Sequence, residues 1–240
     1  MHRHQLVRLL LFPLVATTLL IAQGPAPQPL PAPEALNAAY SQAMQARDWQ
    51  GAIADAQKLI DQSPTAEHIL SLGVAQIYAD DSQAALATLD RALAVAETEK
   101  PTQGEPGTAW KDLVAKIYLN KGNALLVLHR NSDAIEVYNR SAALASDPTV
   151  PTFNICATYY NAGDLQNSLP ACRKAVIAGP TNASAWFVLG SVIFADAKAD
   201  DHGKFVIAPE CRRALEKYLE LAPDGPHAAD VKEMLQMSVQ

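Results

Sequence analysis

From residue 34 onward, alanine, leucine and other apolar residues recur every three or four positions, and polar turns interrupt them at "ARDWQ", "ADDSQ", "HRNSD" and "NAGDLQ". That spacing lines apolar side chains along one stripe of a helix. Each turn carries an Asp or Ser suited to capping the helix that follows it. The pattern predicts helices in pairs, joined by short turns.

The pairs keep a common register. A slim or small residue in the first helix falls at Tyr40, Gly73, Gly122, Cys156 and Gly190, with separations of 33, 49, 34 and 34. A small residue early in the second helix falls at Ala52, Ala85, Ala134, Ser168 and Cys211, with separations of 33, 49, 34 and 43. Both rulers give a period of 34 with two departures. The longer step between the second and third pairs holds "ETEKPTQGEPGTAW", Glu97 to Trp110, with the insertion centred on 99–108. Its Pro and Gly predict a loop, followed by one lengthened helix from Trp110 to Leu128. The second departure lies inside the fifth pair, at residues 196–208, where "ADDHGKFVIAP" predicts a loop tucked back by Phe205 and Val206. At the end, Val231, Met234, Leu235 and Val239 share one side of an amphipathic segment, with Asp230, Lys232, Glu233 and Gln236 on the other. Such a segment suits a helix that closes the open end of a stack.

Trp186-x-x-Leu189-Gly190, the packing residues Leu89, Ala92, Tyr138 and Ala175, and the closing Pro64, Pro180 and Pro223 carry a resemblance. On these residues the chain resembles a tetratricopeptide-repeat protein of the exported bacterial type. The resemblance covers roughly Pro33 to Pro223, with repeats at about 33–65, 66–98, 115–148, 149–182 and 183–224; the first lacks the glycine. It implies an all-α fold: an α-α superhelical solenoid of about five helix pairs, ending in a capping helix at 226–238. It further implies a concave groove lined by first helices, which places Leu70, Val74, Ile77, Leu119, Asn123, Leu126, Phe153, Asn154, Tyr160, Phe187, Ser191 and Phe194 along it. Asn123 and Asn154 occupy the places of the family's carboxylate-gripping asparagines, but Leu119, Ser184 and Val188 stand where cations would be needed. A carboxylate there would lack paired charge, so the groove suits an apolar peptide or partner segment instead. The other reading of the same residues is that several pack on the neighbouring repeat or on the chain's own ends. The resemblance implies a non-enzymatic protein-interaction scaffold, or within the same class a cell-envelope assembly factor.

Composition adds exclusions. With 49% hydrophobic and 6% aromatic residues the chain can bury a core and favours close-packed helices. A net charge of −6 without a basic block argues against nucleic acid as partner. Residues 1–22 pair Arg3 and Arg8 with the apolar run Leu9 to Ala22, the layout of a signal peptide or of an uncleaved amino-terminal anchor. A proline-rich linker at 23–33 precedes the solenoid assigned to 34–240. The expected location is therefore periplasmic or secreted, with membrane contact only if the first segment stays attached. No nucleophile elbow, H-E-x-x-H or phosphate loop is present, and no cofactor is implied. Asp196, Asp200, Asp201 and His202 offer metal-type ligands, against the reading of an ordinary solvated loop, so a metal-dependent enzyme built on the 196–205 insertion is the alternative from another class. Three cysteines in an exported chain leave one unpaired; Cys156 and Cys172, on antiparallel neighbours, are either a disulfide or buried thiols.

Overall fold

The computed structural model describes residues 32–239; the segment read as a signal peptide or anchor, and the linker up to residue 31, lie outside the described residues. Five helix pairs follow in order. They are α1 (Pro33–Gln45) with α2 (Trp49–Gln62), α3 (Ala66–Tyr78) with α4 (Ser82–Glu99), and α5 (Thr108–Val127) with α6 (Asn131–Leu144). Next come α7 (Thr149–Asn161) with α8 (Leu165–Ala178), α9 (Ala183–Phe194) with α10 (Pro209–Leu221), and a last helix α11 (Ala228–Gln236). The fold is a superhelical solenoid of helix pairs.

The turn inside each of the first four pairs is built the same way. Arg47, Asp80, His129 and Gly163 all have a left-handed backbone, with φ of 58°, 61°, 58° and 73°. The N–H of each reaches back to a carbonyl three residues earlier, and the next N–H reaches back five, as in Asp48 to Ala43 and Asp164 to Tyr159. This closes the first helix by a Schellman motif. The residue that completes it also caps the second helix: Asp48, Asp81 and Asp164 accept from the N–H of Gly51, Ala84 and Asn167. In the third pair Arg130 holds that place and makes no side-chain cap.

Helices within a pair cross where one residue is small and its partner, 16 positions later or 25 in the fifth pair, is large. A Cβ on Gly73 or Gly190 would lie 2.8 or 2.6 Å from Cδ2 of Leu89 or Leu215, and one on Gly122 would overlap the Tyr138 ring. Leu89, Tyr138 and Leu215 are fully buried there. In the first pair the sizes are exchanged, with Tyr40 on α1 and the buried Ala56 on α2. In the fourth pair Cys156 and Cys172 occupy these two places, both without exposure, and are joined by a disulfide with Cα atoms 4.7 Å apart. Cys211 remains a free thiol; burial pushes its pKa up to about 11, and it donates to the Gly190 carbonyl.

The insertions differ in detail from the sequence-based expectation. Helix α4 runs on to Glu99, whose carboxylate accepts from Ala66 N–H, so the loop shrinks to residues 100–107 and α5 starts two residues before Trp110. In the fifth pair the insertion is a small sheet, not only a loop. Lys198–Ala199 pairs antiparallel with Phe205–Val206, which pairs parallel with Ser238–Val239. Strand alternation turns Val206 outward, 49% exposed, while Phe205 packs on Phe194 and Ile207 is buried. The expected tuck is thus made by Phe205 and Ile207. Because Ser238 and Val239 are used as a strand, the closing helix ends at Gln236; its Ala228 and Val231 are buried against α10, with Met234 and Leu235 half-buried beside them.

Two measurements follow. Arg130→Asn supplies the missing cap and removes only an exposed ion pair to Asp133, so it raises stability by about 1 kcal/mol, whereas Gly163→Ala, with open space around it but φ positive, lowers it by about 1 kcal/mol; opposite or absent shifts in thermal melts count against the turn model. The denatured chain shows one reactive thiol without reductant and three with it, and reduction costs about 3 kcal/mol for a loop of this size; three thiols in the untreated chain refute the bridge.

Candidate functional site

First helices of successive pairs touch at α3 with α5 and at α7 with α9, while no two successive second helices make comparable contact. The first helices therefore sit on the inside of the curve. Between α5 and α7 that inner contact is sparser, and two cavities open there. One, near the carboxyl ends of the two helices, holds about 430 Å³ and is lined by Asn123, Leu126, His129, Asn131, Tyr138, Asn154, Ala157, Thr158 and Asn161. The other, about 350 Å³ at the opposite ends, is bordered by Ala115, Lys116, Leu119, Val150 and Pro151 with Asp112 and Asp147.

The amide-lined cavity is set up by the helix crossing beneath it. Gly122 lets the Tyr138 ring lie flat on α5, and the phenol donates to Asn123 Oδ1 at 2.8 Å. Asn154 Nδ2 donates to the same oxygen at 3.3 Å and is the link across the gap between α5 and α7. Burial pushes the Tyr138 phenol well above its ordinary range, with the Asn154 amide pulling the other way, so it stays a neutral donor. Asn123 Nδ2 and Asn154 Oδ1 line the cavity without a partner among the described residues. One donor and one acceptor, on two amides linked by that hydrogen bond, are the groups that the C=O and N–H of a peptide backbone call for. Asn131, Asn161 and His129 stand exposed around the rim.

The second cavity offers apolar contact. Leu119 and Pro151 form its bed and Val150 is 51% exposed at its edge. Its acids are already committed: Asp112 accepts from the Ser146 N–H and hydroxyl, which holds its carboxyl below the usual range, and Asp147 is held the same way by Thr149. Asp200 is likewise used locally, accepting from His202 N–H and Lys204 N–H to close the hairpin. Among the described residues no group of three or more His, Cys, Asp or Glu is arranged to hold a metal, and no helix is long and apolar enough to cross a membrane. The site can bind by hydrogen bonds and apolar contact.

Of the twelve groove residues expected from sequence, Leu119, Asn123, Leu126 and Asn154 line these two cavities. Phe153 and Tyr160, half-buried on α7, pack on the core of the fourth pair, and Val74 and Ile77 on that of the second. Leu70 and Ser191 are buried. Phe187 stacks face to face on His227 at 3.8 Å and tilts against Tyr218, and Phe194 packs on Phe205. His227 near the chain's end thus packs on Phe187, and Phe205 of the inserted hairpin on Phe194. Sequence reasoning did not reach Asn131, Thr158 or Asn161; the spacing of Asn154, Thr158 and Asn161 along one helical face is the signal that would have found the last two.

No curated protein matches the chain. Among solved structures, MamA from Desulfovibrio magneticus RS-1 is 14% identical over 87% of this chain and 97% of its own, with a TM-score of 0.56. YrrB, described as a tetratricopeptide-repeat protein with an unusual peptide-binding site, is 16% identical over 84% and 100%, with a TM-score of 0.54. PilW, described as a widely conserved type IV pilus biogenesis factor, is 14% identical over 86% and 88%, with a TM-score of 0.61. At such identities the likeness is one of fold. Residues 70–151 match the tetratricopeptide-repeat family model, and the first and fourth pairs on either side keep the same turn and crossing register, so the chain carries tetratricopeptide repeats.

Proposed function

We propose that this chain is a non-enzymatic scaffold that holds an extended segment of a protein partner on its inner face, between the third and fourth repeats. Asn123 Nδ2 and Asn154 Oδ1, on two linked amides lining an open cavity and without a partner among the described residues, carry the reading. They offer a backbone peptide its donor and acceptor, while Leu119 and Val150 further along the same gap offer contact to an apolar side chain. The covered Phe187 and Phe194 move the site away from the fifth repeat. The neutral lining suits an internal segment better than a free carboxylate, which would need cations.

The charged-then-apolar start of the sequence supports export, and the Cys156–Cys172 bridge supports an oxidising compartment. The fold shared with a pilus biogenesis factor supports a role in assembling larger structures at the envelope. Photo-crosslinking residues placed at Val127 and Asn161 on the inner face should yield discrete protein adducts in the native compartment, and one placed at the outward Gln57 should not. Identical adducts from all three positions, or none from the inner pair, would remove the groove as the binding site.

A further inference from the structure

The outer face carries two equivalent grooves, each between successive second helices with a first helix as floor. The earlier one, between α4 and α6, holds about 370 Å³ and fills itself. Lys121 pairs with Asp90, Arg140 pairs with Glu136, and the Arg140 guanidinium lies over the Tyr118 ring at 5.8 Å. The later one, between α6 and α8, holds about 470 Å³. Its residues stand in the same register, 34 positions on for α7 and α8 and 49 on for α6. Tyr118 is replaced by Thr152, Glu136 by Pro170, Lys121 by Ile155, Leu93 by Ala142 and Asp90 by Asn139, while Arg140 is replaced by Lys174.

The cation is retained and everything that neutralised or covered it is gone. Lys174 makes no ion pair among the described residues, whereas its neighbour Arg173 is tied to Glu210 by two hydrogen bonds of 2.9 and 2.6 Å. The walls are small, Ala142, Ala171 and Pro170, and the floor is Ile155 and Tyr159. Ile177, one turn beyond Lys174 on α8, is 79% exposed and extends the apolar strip.

We infer that the α6–α8 groove is a second binding site, on the outer face, for a protein segment that presents a large apolar or aromatic side chain beside a carboxylate. The α4–α6 groove shows what fits: the ring of Tyr118 and the carboxylate of Glu136 around a cation, here to be supplied by the partner. The apolar side chain enters between Ala142 and Ala171, and the carboxylate pairs with Lys174. A rim-exposed charge pair sets which partner is accepted more than how tightly, so preference between partners is the quantity to measure.

Short dye-labelled peptides carrying Tyr-Glu in an Ala/Ser background, and matched Tyr-Lys peptides, are titrated by fluorescence anisotropy against the full chain. The Tyr-Glu peptides bind wild type about ten-fold more tightly. Pro170→Glu places a carboxylate four residues before Lys174 and restores a helix hydrogen bond, so it melts no lower than wild type and abolishes the preference. Lys174→Glu, at an exposed position, abolishes it too. Asn154→Ala, on the inner face, leaves it intact, which separates this site from the one proposed above. Equal affinity for the two peptides, no measurable binding of either, a preference that survives Pro170→Glu or Lys174→Glu, or one lost in Asn154→Ala would each overturn the inference.

Discussion

The close crossing of the two helices in each pair is the contact on which the remaining structure depends. Two α-helices approach to the distance of a Gly-against-Leu or Gly-against-Tyr contact only if one side of the crossing contributes almost no volume. Here the same two places, 16 residues apart, are filled by Gly73 and Leu89, Gly122 and Tyr138, and Cys156 and Cys172. The first pair reaches the same fit with the large residue on the other helix. The fifth keeps Gly190 against Leu215 although nine more residues separate them, because the insertion leaves through the small sheet beyond the crossing. A larger residue on the small side would part the helices and move the turn, its cap and the cavity above together.

This dependence explains what the sequence made legible. Small residues at fixed intervals are a strong signal because steric exclusion tolerates few substitutes, and the turn residues are legible for the same reason: left-handed backbone and capping oxygen fall at fixed steps from the crossing. Thus the helix pairs and the lengthened α5 could be read before any coordinates. The sheet at the carboxyl end could not. Its strands are two residues each, and Lys198–Ala199 has no alternation to detect. The exchange of Val206 for Ile207 as the tucked residue follows from strand pairing, which a helical frame does not anticipate.

The groove shows a further limit. Helical register tells which face a side chain occupies, and it puts Phe187 and Phe194 on first-helix positions expected to face inward. Register says nothing about what arrives later in the chain to cover them. His227 follows a turn rich in Pro and Gly and carries no periodic signal, yet its ring lies parallel to Phe187 and its N–H donates to the Tyr218 phenol oxygen of α10. By contrast, the Asn123 and Asn154 pair could be located because both the amide and the tyrosine that orients it are tied to the crossing at Gly122. The open part of the inner face is the part whose geometry the repeat itself determines.

A constant period also turns the repeats into controls for one another. Once Glu136 and Pro170 are known to occupy equivalent places, the proline can be judged against its own counterpart. It is the sixth residue of α8, past the first turn where proline is tolerated, and a helix interior loses roughly 3 kcal/mol by such a residue. The same substitution strips the carboxylate from a retained cation, so one residue breaks a local rule and opens a groove at once. Natural chains keep such conflicts where something other than folding is served, and in this chain that conflict lies on the outer face, opposite the amide-lined cavity and one helix pair from the stretch where the chain covers itself.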